Sequence, residues 1–306
     1  MAGGPISRSA IGPLLTPGLR KVFYEIGKER PLEYPIVFNV GNMDWNPVTD
    51  QQAFGLGQQP VKTEGAQFGL DEHIIGNQKA YTAVAYGSAV EFTWESWRDE
   101  QYGILEQLVA EQGRMTRQRQ EVQAWSILTN AFDTAFNGFE SGVSLCSLSH
   151  VGVDGVTRAN RPTPDVGLSV AALQDMIMRY ETMTTERGVP RLLQPTMIVI
   201  HPADKFVARE VLGSSGTGVS ASTTNNEINA LIQEDLTWMV SHYLTSDTAW
   251  FALAAKGVHD LNFLWRDPPM FDAFDDPWSK NAVFTAYQRF ATGYGAWAGV
   301  DGSDGA

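Results

Sequence analysis

Apolar side chains recur at spacings of three and four between Glu95 and Phe136: Ile104, Leu105, Leu108, Met115, Val122, Trp125, Leu128 and Phe132. That period predicts one long helix. Thr93 or Ser96 can cap its start, Glu95, Asp99 and Glu100 fall where the helix dipole favours acids, and Asn137-Gly138 supply a stop. At ~1.5 Å per residue the helix is a rod of roughly 55 Å. Its middle, Glu111 to Glu121, offers almost nothing to a core and carries Arg114, Arg117 and Arg119, with Gly113 as a point of bending. Packed ends and a wet middle predict a strut. A coiled coil is disfavoured because the heptad fails at Gln112 and Arg119.

Before this rod, residues 1–44 read as an arm. Pro5, Pro13, Pro17, Pro31 and Pro35 punctuate it, and one helix is predicted over Leu19 to Lys28. Leu14, Leu15, Val22, Phe23, Tyr24 and Ile26 are too apolar for a free tail, so the arm is expected to lie on something. Residues 45–86 are glycine-rich and polar from Asp50 to Lys79, and Tyr81 to Thr93 is β-prone. This predicts a long two-stranded hairpin or mobile loop without a core of its own, leaning on a neighbour if ordered.

After the rod, residues 138–164 read as loop. Residues 165–257 read as an α/β unit: a helix capped by Ser169 and stopped at Gly188, a buried strand Thr196 to Ile200, and a helix opened by His201-Pro202 with Phe206, Val207, Val211 and Leu212 inward. A flexible tract, 213–226, and a short helix capped by Asn226 precede strands at Leu236 to Leu244 and Thr248 to Ala254. In the last section, 258–306, strands are predicted at Asp260 to Trp265 and Ala282 to Ala291, with a turn-rich insert from Asp267 to Asp276 and a small-residue tail.

Composition narrows the classes. No stretch approaches the 18 apolar residues of a membrane span, and the N-terminus, which reads as an intact translation start, lacks a signal-peptide core. The lone Cys146 cannot form an internal disulfide or a zinc cluster. A net charge of −13 argues against broad nucleic-acid binding and suits a wall that must not adhere to DNA. Nine tryptophans and fifteen phenylalanines suit protein–protein surfaces as well as cores.

No catalytic constellation stands out. There is no Gly-x-Ser-x-Gly, and the glycines of Gly213 to Gly218 lack the Lys-Ser/Thr end of a phosphate loop. The histidines at 73, 150, 201, 242 and 259 lack metal spacing, and Asp272, Asp275 and Asp276 lack a calcium-loop pattern. His201 reads equally as an imidazole placed at a helix start and as a hydrogen-bonded cap, and Cys146 reads as a small buried hydrophobe with a minority reading as a nucleophile. The strut arginines are expected to meet carboxylates of neighbouring subunits. No catalytic, cofactor or metal residue is assigned.

The order of arm, hairpin, strut, α/β unit and returning strand resembles the major capsid proteins of tailed double-stranded DNA phages of the Hong Kong 97 type. The local likenesses are Val90-Glu-Phe-Thr-Trp-Glu entering the strut, Gln194-Pro-Thr-Met-Ile-Val-Ile-His-Pro202, and Phe284-Thr-Ala-Tyr-Gln-Arg-Phe-Ala-Thr-Gly-Tyr294. Such patterns occur in several capsid branches, including Mu-like prophages. The resemblance implies an α+β fold with an N-terminal arm (1–44), an extended loop (45–86), a peripheral domain with a spine helix (87–164), an axial domain (165–257) and returning peripheral strands (258–306). It implies a non-enzymatic subunit that forms hexamers and pentamers of an icosahedral shell around double-stranded DNA, assembled in the bacterial cytoplasm and retained in the virion, with no membrane role.

The implied partners are further copies of the chain, a portal, packaged DNA without sequence specificity and, in some shells, a cement or decoration protein. A separate scaffold protein is expected because the chain has no room for a scaffolding segment before the arm. No lysine–asparagine cross-link is expected at Lys62 or Lys79. Leu14, Leu15, Val22, Phe23, Tyr24, Lys62, Glu64, Arg114, Arg117 and Arg119 are the expected inter-subunit contacts. Two alternatives are an encapsulin-like nanocompartment shell, sharing the fold, and a soluble α/β hydrolase-like enzyme using His201 or Cys146.

Overall fold

A computed structural model describes residues 12–26, 31–71, 74–93, 95–96, 103–213, 236–275, 279 and 281–305. In chain order the elements are α1 (Gly12–Ile26), α2 (Tyr34–Val37), β1 (Asn39–Asn42), β2 (Val48–Ala53), β3 (Ile75–Tyr81), β4 (Val84–Phe92), α3 (Ile104–Thr129), β5 (His150–Val151), β6 (Thr157–Arg158) and α4 (Val170–Thr182). Then come β7 (Pro195–Ile200), a 3-10 turn at Pro202–Asp204, α5 (Lys205–Gly213), β8 (Thr237–Val240), β9 (Trp250–Ala254), β10 (Leu261–Asp275), β11 (Ala282–Tyr294) and β12 (Val300–Ser303).

Two four-stranded sheets organise these elements, in the orders β1-β10-β11-β4 and β12-β9-β7-β8. In the first, β10–β11 and β11–β4 are antiparallel and β1 joins β10 in parallel. In the second, β7 pairs in parallel with β8 and antiparallel with β9. The chain therefore has the mixed α+β architecture that the resemblance implied. β2 and β3 pair antiparallel in a hairpin outside both sheets.

The second sheet buries one face under α4. Leu173, Met176 and Tyr180, at helical spacing, pack on Ile198, Ile200, Trp250 and Ala252. Its other face shares a core with the first sheet: Val199, Phe251 and Leu253 meet Trp125, Ile127 and Leu128 of α3, with Phe38, Phe263 and Phe290 alongside. The far end of α3 packs Leu105 and Val109 on Leu19 and Phe23 of α1 and on Phe271 and Phe284 of the first sheet. So α3 spans two apolar contacts, one at each end.

Several expectations need correction. The long helix does not run unbroken from Glu95 to Phe136: it begins after Gly103, whose φ of 68° breaks the α geometry, and ends at Thr129. At ~1.5 Å per residue it is about 39 Å long. The helix gives way at Asn130, whose φ of −100° and ψ of 21° leave the α geometry and whose Nδ2 donates to the Ser126 carbonyl at 2.8 Å, so Phe132 lies beyond the helix. Residues 95–96 are helical, and 94 and 97–102 lie outside the described residues.

Gly113 is no bend. A Cβ there would sit 2.8 Å from the Phe23 carbonyl oxygen, so the glycine lets α1 approach α3 closely. The middle of α3 is wet on one side only: Glu111, Arg114, Gln118 and Arg119 are exposed, whereas Gln112, Thr116, Gln120 and Glu121 are buried.

α4 stops at Thr182 because Met183 turns extended and is buried; Gly188, with φ 77°, belongs to the turn beyond. Phe206 and Val207 of α5 face outward, while Ala208 and Val211 face in. The insert at 267–276 is no loop, because β10 runs through it to Asp275 with register shifts around Asp267. The small-residue tail forms β12, buried throughout, where Arg179 donates two hydrogen bonds to Asp301 at 2.8 and 3.0 Å. The flexible tract after Gly213 and the Asn226 cap lie outside the described residues.

Candidate functional site

The described residues hold no group of three or more His, Cys, Asp and Glu side chains placed to bind a metal, and none of the described helices is long and apolar enough to cross a membrane. The two candidate catalytic groups are engaged otherwise. His201 Nδ1 accepts the Ala203 N–H and caps the 3-10 turn, as its place before a proline suggested. Cys146 is fully buried, and burial pushes its thiol well above the usual range; the charged groups acting on it are Asp301, Arg161 and Asp165, none of them a general base of the histidine kind. This geometry lends the hydrolase alternative no support.

What the molecule does offer is surface, and the helix α3 decides much of it. One side is turned to the sheet by polar contacts. Gln112 Nε2 donates to the Ser88 carbonyl at 2.9 Å, Gln120 Nε2 donates to Gln288 Oε1 at 2.8 Å, and Gln288 Nε2 donates to the Thr116 carbonyl at 2.9 Å. Glu121 accepts from the backbone N–H groups of Glu33 (2.6 Å) and Tyr34 (3.1 Å) and from Trp125 Nε1 (2.9 Å). Burial raises its carboxyl above the usual range, while these donors pull the other way. Its oxygens satisfy the open N–H groups at the start of α2 and so fasten the arm segment to α3.

The other side of α3 is turned outward and mixed: Ile104, Leu108, Met115 and Val122 are exposed at 48, 40, 57 and 41 %, beside the exposed Glu111, Arg114, Gln118 and Arg119. Val22 of α1, Ile104, Leu108 and Arg114 line an open groove where the two helices meet. These four apolar side chains lie along one line of the helix surface, while Leu105, Val109, Trp125, Ile127 and Leu128 face the core.

The hairpin supplies another such surface. β2 and β3 pair from Val48–Tyr81 to Ala53–Ile75, and residues 54–71 extend past the ladder. Leu56, Val61, Phe68 and Leu70 on this extension are exposed at 66, 94, 79 and 99 %. Large apolar side chains grouped on one exposed loop are unusual on the surface of a lone chain.

The expected contact residues fall as follows. Leu14 and Leu15 lie on α1, but their side chains lie outside the described residues. Phe23 is buried within the chain against Phe271, and Tyr24 donates its hydroxyl to the Pro269 carbonyl at 3.0 Å. Lys62 sits 4.6 Å from the centre of the Phe68 ring, and Glu64 is exposed at the loop tip. Arg114 pairs with Glu111 at 3.0 Å, Arg119 lies 4.6 Å over the Tyr86 ring, and Arg117 is half-buried. Lys79 donates to the Asn137 carbonyl at 2.6 Å. Sequence reasoning missed the outward stripe on α3, because it assigned those same apolar positions to a core.

Three comparisons place the chain. A family model described as phage capsid protein matches residues 76–300, well over half of it. A comparison with curated proteins returns no match. Among solved structures, the chain is similar over 97 % of its length to a subunit of the procapsid of bacteriophage JBD30, at 16 % identity and a TM-score of 0.50, covering 76 % of that subunit. It is similar to the capsid of cyanophage P-SCSP1u at 9 % identity and TM-score 0.57, covering 87 % of this chain and 85 % of that one. It is similar as well to a virus-like particle from Pyrococcus furiosus at 9 % identity and TM-score 0.54, covering 94 % and 99 %. The structural likenesses establish the capsid fold, and the family match favours a phage shell over a nanocompartment. The chain belongs to the phage capsid protein family, as a major capsid protein of the Hong Kong 97 type and a structural component of the virion shell.

Proposed function

We propose that the subunit closes into hexamers and pentamers of an icosahedral shell by laying its extended loop, residues 45–86, on an adjacent copy. The observation that carries this reading is the two sets of exposed apolar side chains in one chain: Leu56, Val61, Phe68 and Leu70 on the loop and Ile104, Leu108, Met115 and Val122 on α3. Contacts between unlike patches on identical chains run head to tail and close into rings. In this reading residues 1–44 are the arm, 87–164 the peripheral domain, 165–257 the axial domain whose loops meet at the ring centre, and 258–306 the returning strands and tail. Leu14, Leu15, Val22, Tyr24, Lys62, Glu64, Arg114, Arg117 and Arg119 are contact residues toward neighbours, with Phe23 holding the arm helix in place from inside.

The net charge of −13 suits a wall that encloses double-stranded DNA without adhering to it. A scaffold protein, a portal and assembly in the host cytoplasm complete the reading. The chain works as a structural protein, with no catalytic step assigned to it.

Sedimentation of the purified chain across concentration, salt and polyethylene glycol, with negative-stain imaging, tests the proposal. Rings of five and six or closed shells are expected. A monomer under every condition overturns it.

A further inference from the structure

Beyond the β2–β3 ladder, the described residues of the loop reach the body of their own subunit through Asp71. Arg187 Nη1 donates to Asp71 Oδ1 at 2.7 Å, and the Gly57 N–H donates to Asp71 Oδ2 at 2.6 Å. One carboxylate thus ties the outgoing limb of the loop to the returning limb and both limbs to the α/β unit. The tie lies beyond the end of the β2–β3 ladder, past the hydrogen bond from the Phe54 N–H to the Ile74 carbonyl at 3.2 Å. Past it the chain reverses through a turn closed by the Ala66 N–H on the Thr63 carbonyl, with Gly65 at φ 79°.

Arg187 stands on a firm mount. It sits at the apex of a tight turn in which the Thr185 N–H bonds the Val189 carbonyl at 2.6 Å and the Gly188 N–H bonds the Thr185 carbonyl at 2.9 Å. The Asp154 N–H bonds the Glu186 carbonyl, which braces the turn against the β5–β6 ribbon. The guanidinium is largely covered and its partner carboxylate is partly open, at 14 and 41 % exposure.

The apolar side chains on either side of the tie stay in solvent. The contact therefore does not fold the loop away. It holds the two limbs together and leaves Leu56, Val61, Phe68 and Leu70 exposed.

We infer that Asp71 and Arg187 form a clip that preorganises the extended loop for capture by a second copy of this chain. This rests on the assembly reading above. Each subunit that docks a loop must first give up the loop's conformational freedom, and a clip that restricts it beforehand lowers that cost. Asp71 and Arg187 are positioning residues: they act through the loop and need not touch the neighbour.

The test uses the full-length chain with Arg187→Ala, Asp71→Ala and the double variant. Each is compared with wild type in three readouts: melting temperature, amide hydrogen exchange over residues 55–71, and the concentration at which rings or shells appear. Single variants are expected to leave the melting temperature unchanged and to speed exchange at Gly57. They are expected to raise the assembly concentration about fivefold, the scale of one half-exposed ion pair. The double variant is expected to match Asp71→Ala, because the two residues act as one unit.

Unchanged exchange at Gly57 in Arg187→Ala overturns the clip, as does unchanged or easier assembly in the variants. Additive effects in the double variant also overturn it. If the wild type forms no particles, the assembly reading fails, and the exchange arm still decides whether the clip exists.

Discussion

Two stretches of this chain are conspicuously polar, and they end in opposite places. Residues 111–121 of α3 are buried along one side, whereas residues 54–71 of the loop are exposed almost throughout. Polarity alone does not separate them; repeat and partner do. Gln112, Thr116 and Gln120 stand four residues apart on one face of a helix and meet Ser88 and Gln288 on β4 and β11, so their hydrogen-bonding groups are largely satisfied without water. The loop has glycines, a proline and no periodic face, so its backbone keeps to the solvent and its few apolar side chains point outward. A polar sequence becomes core when its spacing matches an acceptor set across from it. Without that match it stays in solvent.

The largest effect is expected where the buried polar side holds the arm. Glu121→Ala strands two backbone N–H groups and the Trp125 indole N–H, and is expected to cost about 4 kcal/mol in urea denaturation. Glu121→Gln, which keeps an accepting oxygen, should cost clearly less. Equal costs for the two would mean that the carboxylate fastens nothing.

The next effect is a pH response confined to the body. Burial raises Asp301 to about 6 in spite of Arg179. Since the folded value exceeds the unfolded one, its contribution is full below the ordinary carboxylate value of 3.8 and is lost as pH rises through 6. His259 has the opposite sign: burial and the Lys256 charge lower it from 6.5 to about 4, so its contribution is full above 6.5 and is lost as pH falls through 4. In the wild type the two oppose each other between pH 4 and 6. Asp301→Asn removes one, so its stability is expected to rise more steeply with pH than that of the wild type, by about 3 kcal/mol across the window. Parallel stability curves in pH-dependent denaturation would contradict this.

A smaller effect belongs to the pair in the middle of α3. Gln120→Leu leaves Gln288 Oε1 buried without a donor and is expected to cost about 2 kcal/mol, most of it recovered in the double variant with Gln288→Leu. Additive losses would show that the pair is not coupled. The smallest effect is expected on the loop: Phe68→Ser and Leu70→Ser should change monomer stability by less than about 0.5 kcal/mol. A large loss would mean that the loop packs on its own subunit.

The same comparison explains what could be read in advance. The Ser169 cap, where Oγ accepts the Ala172 N–H, the strand at 195–200 and the β2–β3 hairpin follow from local chemistry: a short oxygen at a helix start, a continuous apolar run, and β-prone limbs around glycines. The outward stripe of α3 was not legible, because Ile104, Leu108, Met115 and Val122 satisfy a core period as well as a contact period. Nor was β12 legible. Val300 to Ser303 hold their place in the sheet through Arg179, more than a hundred residues earlier, which no local window contains. The Asp71–Arg187 contact is hidden for the same reason, since its two ends lie 116 residues apart.

The most direct test of the account is sedimentation velocity on the wild type and on Phe68→Ser/Leu70→Ser side by side, under one set of conditions, with far-UV circular dichroism on both. The account predicts rings or shells for the wild type and a folded monomer with an unchanged spectrum for the variant. Particles of equal yield from both chains would contradict it.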